Sequence, residues 1–363
     1  MKIAQVAPLM ESVPPRLYGG TERIVSYLTE ALVEQGHDVT LFASGDSITS
    51  ARLVPCCTQA LRLNAAVRDP IPYYMLMLDK VRRQARDFDI IHFHIDQFHF
   101  PIFRDIAHRT VTTLHGRQDL PDMLPLYAGF PEMSLVSISD AQRAPVPDAS
   151  YLATVHHGLP RDLLAPTSRP RGGYLAFIGR ISPEKRADRA IRIARAAGIP
   201  LRIAAKVDRV DMDYFKSEIE PMLAGPGVEF IGEIDERRKR SFLGEARGLL
   251  FPIDWPEPFG LVMIEAMACG TPVLAFRTGS VPEVIDEGVT GFIVGSEEEA
   301  VCRIGALLAL DRGRVRRRFE ERFTATHMAA NYVKLYKSLL PAAKERRSPR
   351  SVPAADGDSA VVL

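Results

Sequence analysis

Short apolar runs alternate with longer helical patterns along almost the whole of this 363-residue chain. That alternation argues for parallel sheets with crossover helices. In the first half the strand candidates are Ile3–Pro8, Asp38–Ser44, Ile90–His94, Thr110–His115, Leu135–Ser139 and Ala153–His157. Helical patterns fall near Thr21–Gln35 and Pro72–Arg86, with Gly36 placed to cap the first. The strands are rich in Val and Ile, as expected where helices cover both sheet faces. A second series begins at Tyr174–Gly179 and continues through Leu201–Ala205, Val228–Gly232, Gly248–Pro252, Pro272–Phe276 and Gly291–Val294. Its helices fit Pro183–Ala197, Met212–Leu223, Glu236–Glu245, Phe259–Cys269 and Glu297–Leu310.

Between the two series, Leu164–Gly173 is rich in Pro, Gly and Arg and reads as an interdomain linker. The expected architecture is α/β, with two Rossmann-like domains over residues 1–165 and 172–323 facing a central cleft. Ligands of such sheets bind at the carboxyl ends of the strands. Thr326–Leu340 is a last helical pattern, and residues 342–363, rich in Arg, Ser, Pro and Ala, are predicted to be disordered.

Hydrophobic residues make up 46% and charged residues 25%, as in soluble globular proteins. A formal net charge of +1 provides no global field for a nucleic-acid partner. The four cysteines, Cys56, Cys57, Cys269 and Cys302, fit no metal-binding spacing. With the adjacent pair ill-suited to a structural disulfide, they point to a reducing compartment, hence the cytoplasm. Pro8 and Glu11 interrupt the first apolar run too early for a signal peptide. No stretch of about 18 uncharged apolar residues predicts a transmembrane helix.

The most informative local run is Pro256-Glu257-Pro258-Phe259-Gly260-Leu261-Val262-Met263-Ile264-Glu265-Ala266-Met267-Ala268-Cys269-Gly270-Thr271-Pro272-Val273. Seven residues separate its two glutamates. A helix starting near Phe259 places Glu265 within it and Glu257 in the preceding loop. Both then approach a ligand docked at the helix N-terminus, where free N–H groups attract anions. Gly260 lets that ligand come close to the main chain. Carboxylates for hydroxyls beside amides for phosphate suit a ligand carrying both sugar and phosphate. Upstream, Tyr18-Gly19-Gly20-Thr21 follows the first strand and precedes a helix, where backbone amides can close on a diphosphate. Arg180 and Lys185 bracket the turn after the first strand of the second series, and Pro183 suits a first helical turn.

The Glu257–Val273 run resembles the E-x7-E donor-site signature of the family 4 retaining glycosyltransferases. The resemblance extends from Tyr18-Gly19-Gly20 to Thr271-Pro272. It implies the GT-B fold, with a terminal helix, here about 324–341, crossing back to the first domain. It implies an acceptor domain first and a nucleotide-sugar domain second. The donor-binding set carried over is Gly19, Gly20, Arg180, Lys185, Glu257, Phe259, Gly260, Leu261, Val262 and Glu265. Within it, Glu265 would hold the ribose, Arg180 and Lys185 the diphosphate, and Glu257 the hexose. The family carries a His beside the transferred sugar where Thr112-Thr113-Leu114-His115-Gly116 ends a strand. His115, Arg180, Lys185 and Glu257 are therefore the catalytic candidates. Arg186 stands where the family usually has glycine, and adds a further candidate phosphate contact.

Two runs imitate metal sites. Ile91-His92-Phe93-His94-Ile95-Asp96 offers two His and an Asp, and strand alternation puts His92 and His94 on one face. The family has a similar His run without a metal, bordering the acceptor, so His92 and His94 are assigned to the acceptor side, with Ser139 from Ser137-Ile138-Ser139-Asp140. Asp211-Met212-Asp213 precedes a helical pattern, where Asp commonly caps. His156-His157-Gly158 stands where the family often has Asn-Gly, and its glycine supports a turn. Gly279-Ser280-Val281-Pro282-Glu283 resembles a family segment that supports the donor loop. The arginines at 312, 314, 316, 317 and 318 read as a solvated helix face that would also suit anionic lipid.

The resemblance implies transfer of a hexosyl group from a nucleotide-diphosphate sugar, UDP- or GDP-linked, to a hydroxyl of a glycan, lipid-linked sugar or small metabolite. Arg180 and Lys185 would take the place of a metal, so no metal or other cofactor is expected. Peripheral contact with the inner membrane face would matter for a lipid acceptor. Two alternatives keep the fold: a nucleotide-sugar epimerase and a non-catalytic sugar-nucleotide-binding protein. The missing G-x-G-x-x-G counts against a nicotinamide site.

Overall fold

The computed structural model describes residues 1–16 and 19–340. Tyr18 of the glycine loop and the expected disordered tail at 342–363 lie outside the described residues. Among these, thirteen strands form two sheets in which every pairing is parallel. The first sheet holds β1 (Lys2–Val6), β2 (Asp38–Ser44), β3 (Arg52–Cys57), β4 (Ile90–Phe93), β5 (Thr110–Thr113), β6 (Leu135–Ser137) and β7 (Tyr151–Thr154). Its order is β3-β2-β1-β4-β5-β6-β7. The second holds β8 (Leu175–Ile181), β9 (Leu201–Val207), β10 (Val228–Gly232), β11 (Gly248–Phe251), β12 (Val273–Phe276) and β13 (Gly291–Val294), in the order β10-β9-β8-β11-β12-β13. Both orders reverse direction beside the first strand of the series, between β1 and β4 and between β8 and β11. Crossovers leave on opposite sides there, which opens a crevice at the carboxyl ends.

β3 escapes the sequence pattern. Pro55 interrupts it, and proline within a short run argues against a strand. The strand survives because it lies at the sheet edge. Helices cover both faces, so the inner strands bury nearly every residue. In the first sheet Ile3, Ile90, Val111 and Val136 share a cluster with Leu28 and Leu32 of the helix Gly20–Glu34. In the second, Phe177, Ile203 and Leu274 pack with Ile191 and Leu307.

The last helix, Ala325–Leu339, returns from the second sheet to pack on the helix Gly20–Glu34. Two fully buried tyrosines anchor it. The Tyr332 hydroxyl is 2.7 Å from Thr113 Oγ1, and the Tyr336 hydroxyl is 2.7 Å from His92 Nδ1. The two chain passages between the lobes also bind each other. Leu159 N–H donates to Phe323 O at 2.9 Å, and Ala325 N–H to Leu159 O at 2.7 Å. A Cβ at position 158 would fall 2.3 Å from Thr324 O, so only glycine fits this crossing.

The arginine run departs from the expected solvated face. Arg312 and Arg316 turn inward as clamps on main-chain carbonyls. Arg316 donates to the carbonyls of Leu164 at 2.8 Å, Ala268 at 2.6 Å and Arg161 at 2.7 Å. Arg312 donates to those of Thr167 at 2.6 Å, Ala246 at 3.0 Å and Gly244 at 2.9 Å. Together they tie the linker to the second lobe, because guanidinium donors arranged in a rigid fork suit several acceptors at once. Arg318 pairs with Asp286 and Glu321.

Removing one partner of a buried hydrogen bond leaves the other unsatisfied, at a cost of about 1–3 kcal/mol. Tyr336→Phe is therefore expected to lower unfolding free energy by about 1–2 kcal/mol, and Arg316→Ala, which strands three carbonyls, by about 3 kcal/mol or more. Urea denaturation of the two variants against wild type checks both values and their order.

Candidate active site

A cleft of about 520 Å³ lies between the lobes. The first lobe contributes Gly20, Thr21, His115 and His157, all beyond the carboxyl ends of its strands. The second contributes Arg180, Lys185, Lys206, Lys239, Glu257 and Glu265, with Phe259, Gly260, Leu261 and Val262 along its floor. A Cβ built on Gly20 would lie 3.7 Å from Leu261 Cδ1, so the glycine loop faces the floor directly. Gly19, at φ 146°, stands behind it and is not part of the cleft lining.

The helix on the floor spans Leu261–Ala268. Gly260 caps it in a left-handed conformation, φ 76°, and a Cβ there would lie 2.9 Å from both Phe251 and Met263. The turn presents the amides of Leu261 and Val262, which have no acceptor within the helix. Glu265 is buried inside the helix and accepts from Lys239 Nζ at 2.7 Å. Glu257, in the preceding loop, pairs with Lys185 and accepts from Trp255 Nε1 at 2.7 Å. Lys185 also lies 5.1 Å from the Trp255 ring centroid.

Arg180 is held by acidic residues. Its Nε is 3.5 Å from Asp211 Oδ2 and its Nη2 is 3.5 Å from Glu184 Oε2. Asp211, expected as a helix cap, makes no side-chain capping bond and faces Arg180 instead. Arg186, expected as a phosphate contact, is also turned elsewhere. It takes the left-handed conformation natural to glycine, φ 55°, and its guanidinium binds Asp188 and Asp254. The next helix consequently begins at Ala187, one turn after Pro183.

The acceptor-side candidates separate. His92 is fully buried beneath the last helix, between Thr113 Oγ1 at 2.7 Å and the Tyr336 hydroxyl at 2.7 Å, and does not reach the cleft. Strand alternation does bring it beside His94, with ring centroids 4.1 Å apart, but the last helix covers that position. Ser139 is also buried away from the cleft lining. Its hydroxyl donates to Pro258 O at 2.7 Å, across the lobes. Glu283 adds to this clasp, accepting from the amides of Asp140 at 2.7 Å and Ala141 at 2.8 Å. Burial opposes ionisation of Glu283, yet these bonds and His156 hold its carboxyl below the usual range.

His94 remains beside the site. Its Nε2 lies 2.7 Å from Gln5 Oε1, and its Nδ1 lies 2.9 Å from His115 Nε2. With the Gln5 oxygen as acceptor, His94 Nε2 carries the proton and His94 Nδ1 accepts from His115 Nε2–H. His115 Nδ1 then keeps its lone pair. The His115 ring stacks on His157, centroids 5.3 Å apart, which meets Phe259 edge-on at 5.0 Å. Burial pushes the His115 imidazole down to about 3. Burial, then the neighbouring histidines, pushes His94 well below its ordinary value too. Both rings are neutral near pH 7. Among the described residues no group of three His, Cys, Asp or Glu is arranged to hold a metal ion.

Two family models match this chain. The model for Glycosyltransferase Family 4 matches residues 18–197, and that for Glycosyl transferases group 1 matches residues 166–324. The chain belongs to the family 4 glycosyltransferases. It is 25% identical to a phosphatidyl-myo-inositol mannosyltransferase of Propionibacterium freudenreichii, over 83% of this chain and 84% of the relative. A D-inositol 3-phosphate glycosyltransferase of Mycobacterium tuberculosis is 30% identical over 49% of this chain, which covers only 41% of that relative. Among solved structures, AviGT4, a glycosyltransferase involved in avilamycin A biosynthesis, superposes with a TM-score of 0.70 at 24% identity, covering 93% of this chain and 97% of AviGT4. Anabaena HepE in complex with UDP and glucose gives 0.70 at 16% identity, covering 93% and 100%. These two likenesses establish the GT-B fold. No helix among the described residues of this glycosyltransferase is long and apolar enough to cross a membrane.

Lys239, Trp255 and Asp211 were not singled out in sequence for the cleft. Lys239 lies in the basic stretch Arg237-Arg238-Lys239-Arg240. Nothing in that run marks which side chain points inward. Trp255 adjoins the motif and carries the one visible signal, as the sole tryptophan of the chain.

His115 binds its proton in the unfolded chain near pH 6.5 but in the folded protein only near 3. Its contribution to stability is thus complete above about pH 6.5 and is lost as pH falls toward 3. His115→Gln is expected to flatten the decline between pH 6 and 5 by close to one proton, or about 1.4 kcal/mol per pH unit. Urea unfolding of wild type and variant at both pH values measures the difference.

Proposed function

We propose that this enzyme is a retaining hexosyltransferase that takes a UDP- or GDP-linked sugar as donor and a hydroxyl of a glycan, lipid-linked sugar or small metabolite as acceptor. The observation that carries the reading is the pairing of Lys185 with Glu257 and Lys239 with Glu265 beside the amino end of the helix Leu261–Ala268. A diphosphate entering there meets the Leu261 and Val262 amides and two cations, Arg180 and Lys185. Lys185 exchanges Glu257 for phosphate, which frees Glu257 to bind hexose hydroxyls. Glu265 binds the ribose, with Lys239 holding its buried carboxylate in place. Residues 1–165 form the acceptor half and 172–323 the donor half.

In this reading leaving-group stabilisation is the main catalytic effect. Arg180 and Lys185 are fixed before reaction, where negative charge grows on the departing nucleotide, and need little reorganisation. No divalent metal is required in that role. The acceptor attacks on the face from which the nucleotide leaves, so configuration is retained. Neutral His115 lies at the border of donor and acceptor, where its imidazole hydrogen-bonds the transferred sugar or the incoming hydroxyl. The HepE complexes with UDP and with UDP-glucose favour a uridine donor. The inositol-directed names of the relatives favour a polyol acceptor. The enzyme would work in the cytoplasm, with exposed Arg314 and Arg317 available to anionic lipid at the inner membrane face.

Trp255 is a built-in reporter, because it hydrogen-bonds Glu257 and lies against Lys185. Titration of UDP-, GDP- and ADP-sugars in EDTA is expected to give saturable fluorescence quenching with one nucleotide series, abolished by Glu265→Ala. At 100 times its dissociation constant that donor adds about 2.7 kcal/mol to stability. Arg180→Ala is expected to lower turnover by about two orders of magnitude or more. Absence of any nucleotide-sugar response, or near-normal turnover in folded Arg180→Ala, would refute the assignment.

A further inference from the structure

A second pocket of about 260 Å³ adjoins the donor cleft and shares Thr21 and His115 with it. Tyr74, His94, Asp96 and Phe98 form much of its wall. Asp96 has a left-handed backbone, φ 51°, a conformation that Asp and Asn adopt more readily than other side-chain-bearing residues. Residues held this way gather at ligand sites, where the surrounding structure sustains the strain. The main chain of His115 faces the Asp96 carboxylate. A carboxylate accepts about four hydrogen bonds, so most of its capacity is left for a ligand. Burial raises its carboxyl above the ordinary range.

The opposite side of the pocket is aromatic. Tyr74 and Phe98 stack with centroids 5.4 Å apart and planes 18° from parallel. The Leu9 amide donates to the Tyr74 hydroxyl at 3.1 Å and fixes that ring, while Phe98 stays 51% exposed. An aromatic face is electron-rich and suits the weakly positive C–H face of a saturated ring. Asp96 is the one carboxylate among the described residues lining the pocket. None of the described residues lining it is Lys or Arg. A phosphate seated there would face that carboxylate with no Lys or Arg among the described lining residues to offset it.

We infer that this pocket seats the acceptor as an uncharged, hydroxyl-bearing ring, a sugar or cyclic polyol, with Asp96 accepting from a ring hydroxyl and Phe98 covering the ring's C–H face. Asp96 is then a specificity-determining residue that selects against phosphorylated acceptors. The inference rests on the donor–acceptor division proposed above. It separates this enzyme from the relative named for D-inositol 3-phosphate.

Asp96→Asn keeps a side chain that tolerates the left-handed backbone and removes the charge. Saturation-transfer NMR with UDP present would compare methyl α-mannoside, methyl α-glucoside and myo-inositol with mannose 6-phosphate, glucose 6-phosphate and inositol 3-phosphate. At least one neutral ring is expected to bind wild type tenfold or more tightly than its phosphorylated counterpart. Asp96→Asn and Phe98→Ala are each expected to weaken that binding tenfold or more, while nucleotide quenching of Trp255 changes by less than twofold. Normal quenching shows that the variants are folded, and the exposed Phe98 serves as the second probe should Asp96→Asn misfold. Tighter binding of the phosphates, equal binding of the two sets, no binding of any neutral ring, or unchanged binding in both variants overturns the inference. Loss of nucleotide quenching in wild type would instead overturn the donor reading on which it rests.

Discussion

Within each sheet every strand runs parallel, so all carboxyl ends open on one edge, and the two edges face each other. This constraint organises the molecule. Loops that follow β1, β4, β5 and β7 bring Gly20, His94, His115 and His157 together from positions far apart in sequence. Strand β8 and the loop after β11 do the same for Arg180 and Glu257. The arrangement holds only while the lobes keep their relation. The buried Tyr332 and Tyr336 on the last helix, the Gly158 crossing and the Ser139–Pro258 bond serve that end.

Charge within the cleft is paired in advance. Buried carboxylates left alone would take up protons or destabilise the fold, and unpaired cations would repel one another. Lys185 on Glu257, Lys239 on Glu265 and Arg180 among Glu184, Asp208 and Asp211 give these charges opposite partners. Under the proposed function a diphosphate exchanges these partners rather than meeting bare charge. Affinity is therefore the difference between two sets of ion pairs, which favours a ligand that supplies phosphate and hydroxyls together.

Much of the fold could be read in the sequence. Asp38–Ser44, Val228–Gly232 and Gly291–Val294 coincide with strands to the residue, because their Val- and Ile-rich runs end at clear turn signals. β3 was hidden by Pro55, whose tolerance depends on an edge position that only the assembled sheet defines. The same limit applies to side chains. Five arginines within residues 312–318 look alike in sequence, yet Arg312 and Arg316 point inward to the linker carbonyls. His92 and His94 share a strand face, yet the last helix covers one and leaves the other beside the site.

The sequence by itself determined the parallel α/β architecture and the spacing of Glu257 and Glu265, because hydrophobic periodicity and a helix start are local properties. It also marked Gly260 as a point where a ligand can approach the main chain; that a left-handed cap against Phe251 leaves no room for a side chain there came from the packed structure. Only the tertiary structure decided the partners: Lys239 for Glu265, Asp211 for Arg180, and a left-handed Asp96 beside the Tyr74–Phe98 stack. These contacts join residues from separate elements, and their geometry depends on how whole sheets and helices pack, which no local pattern records.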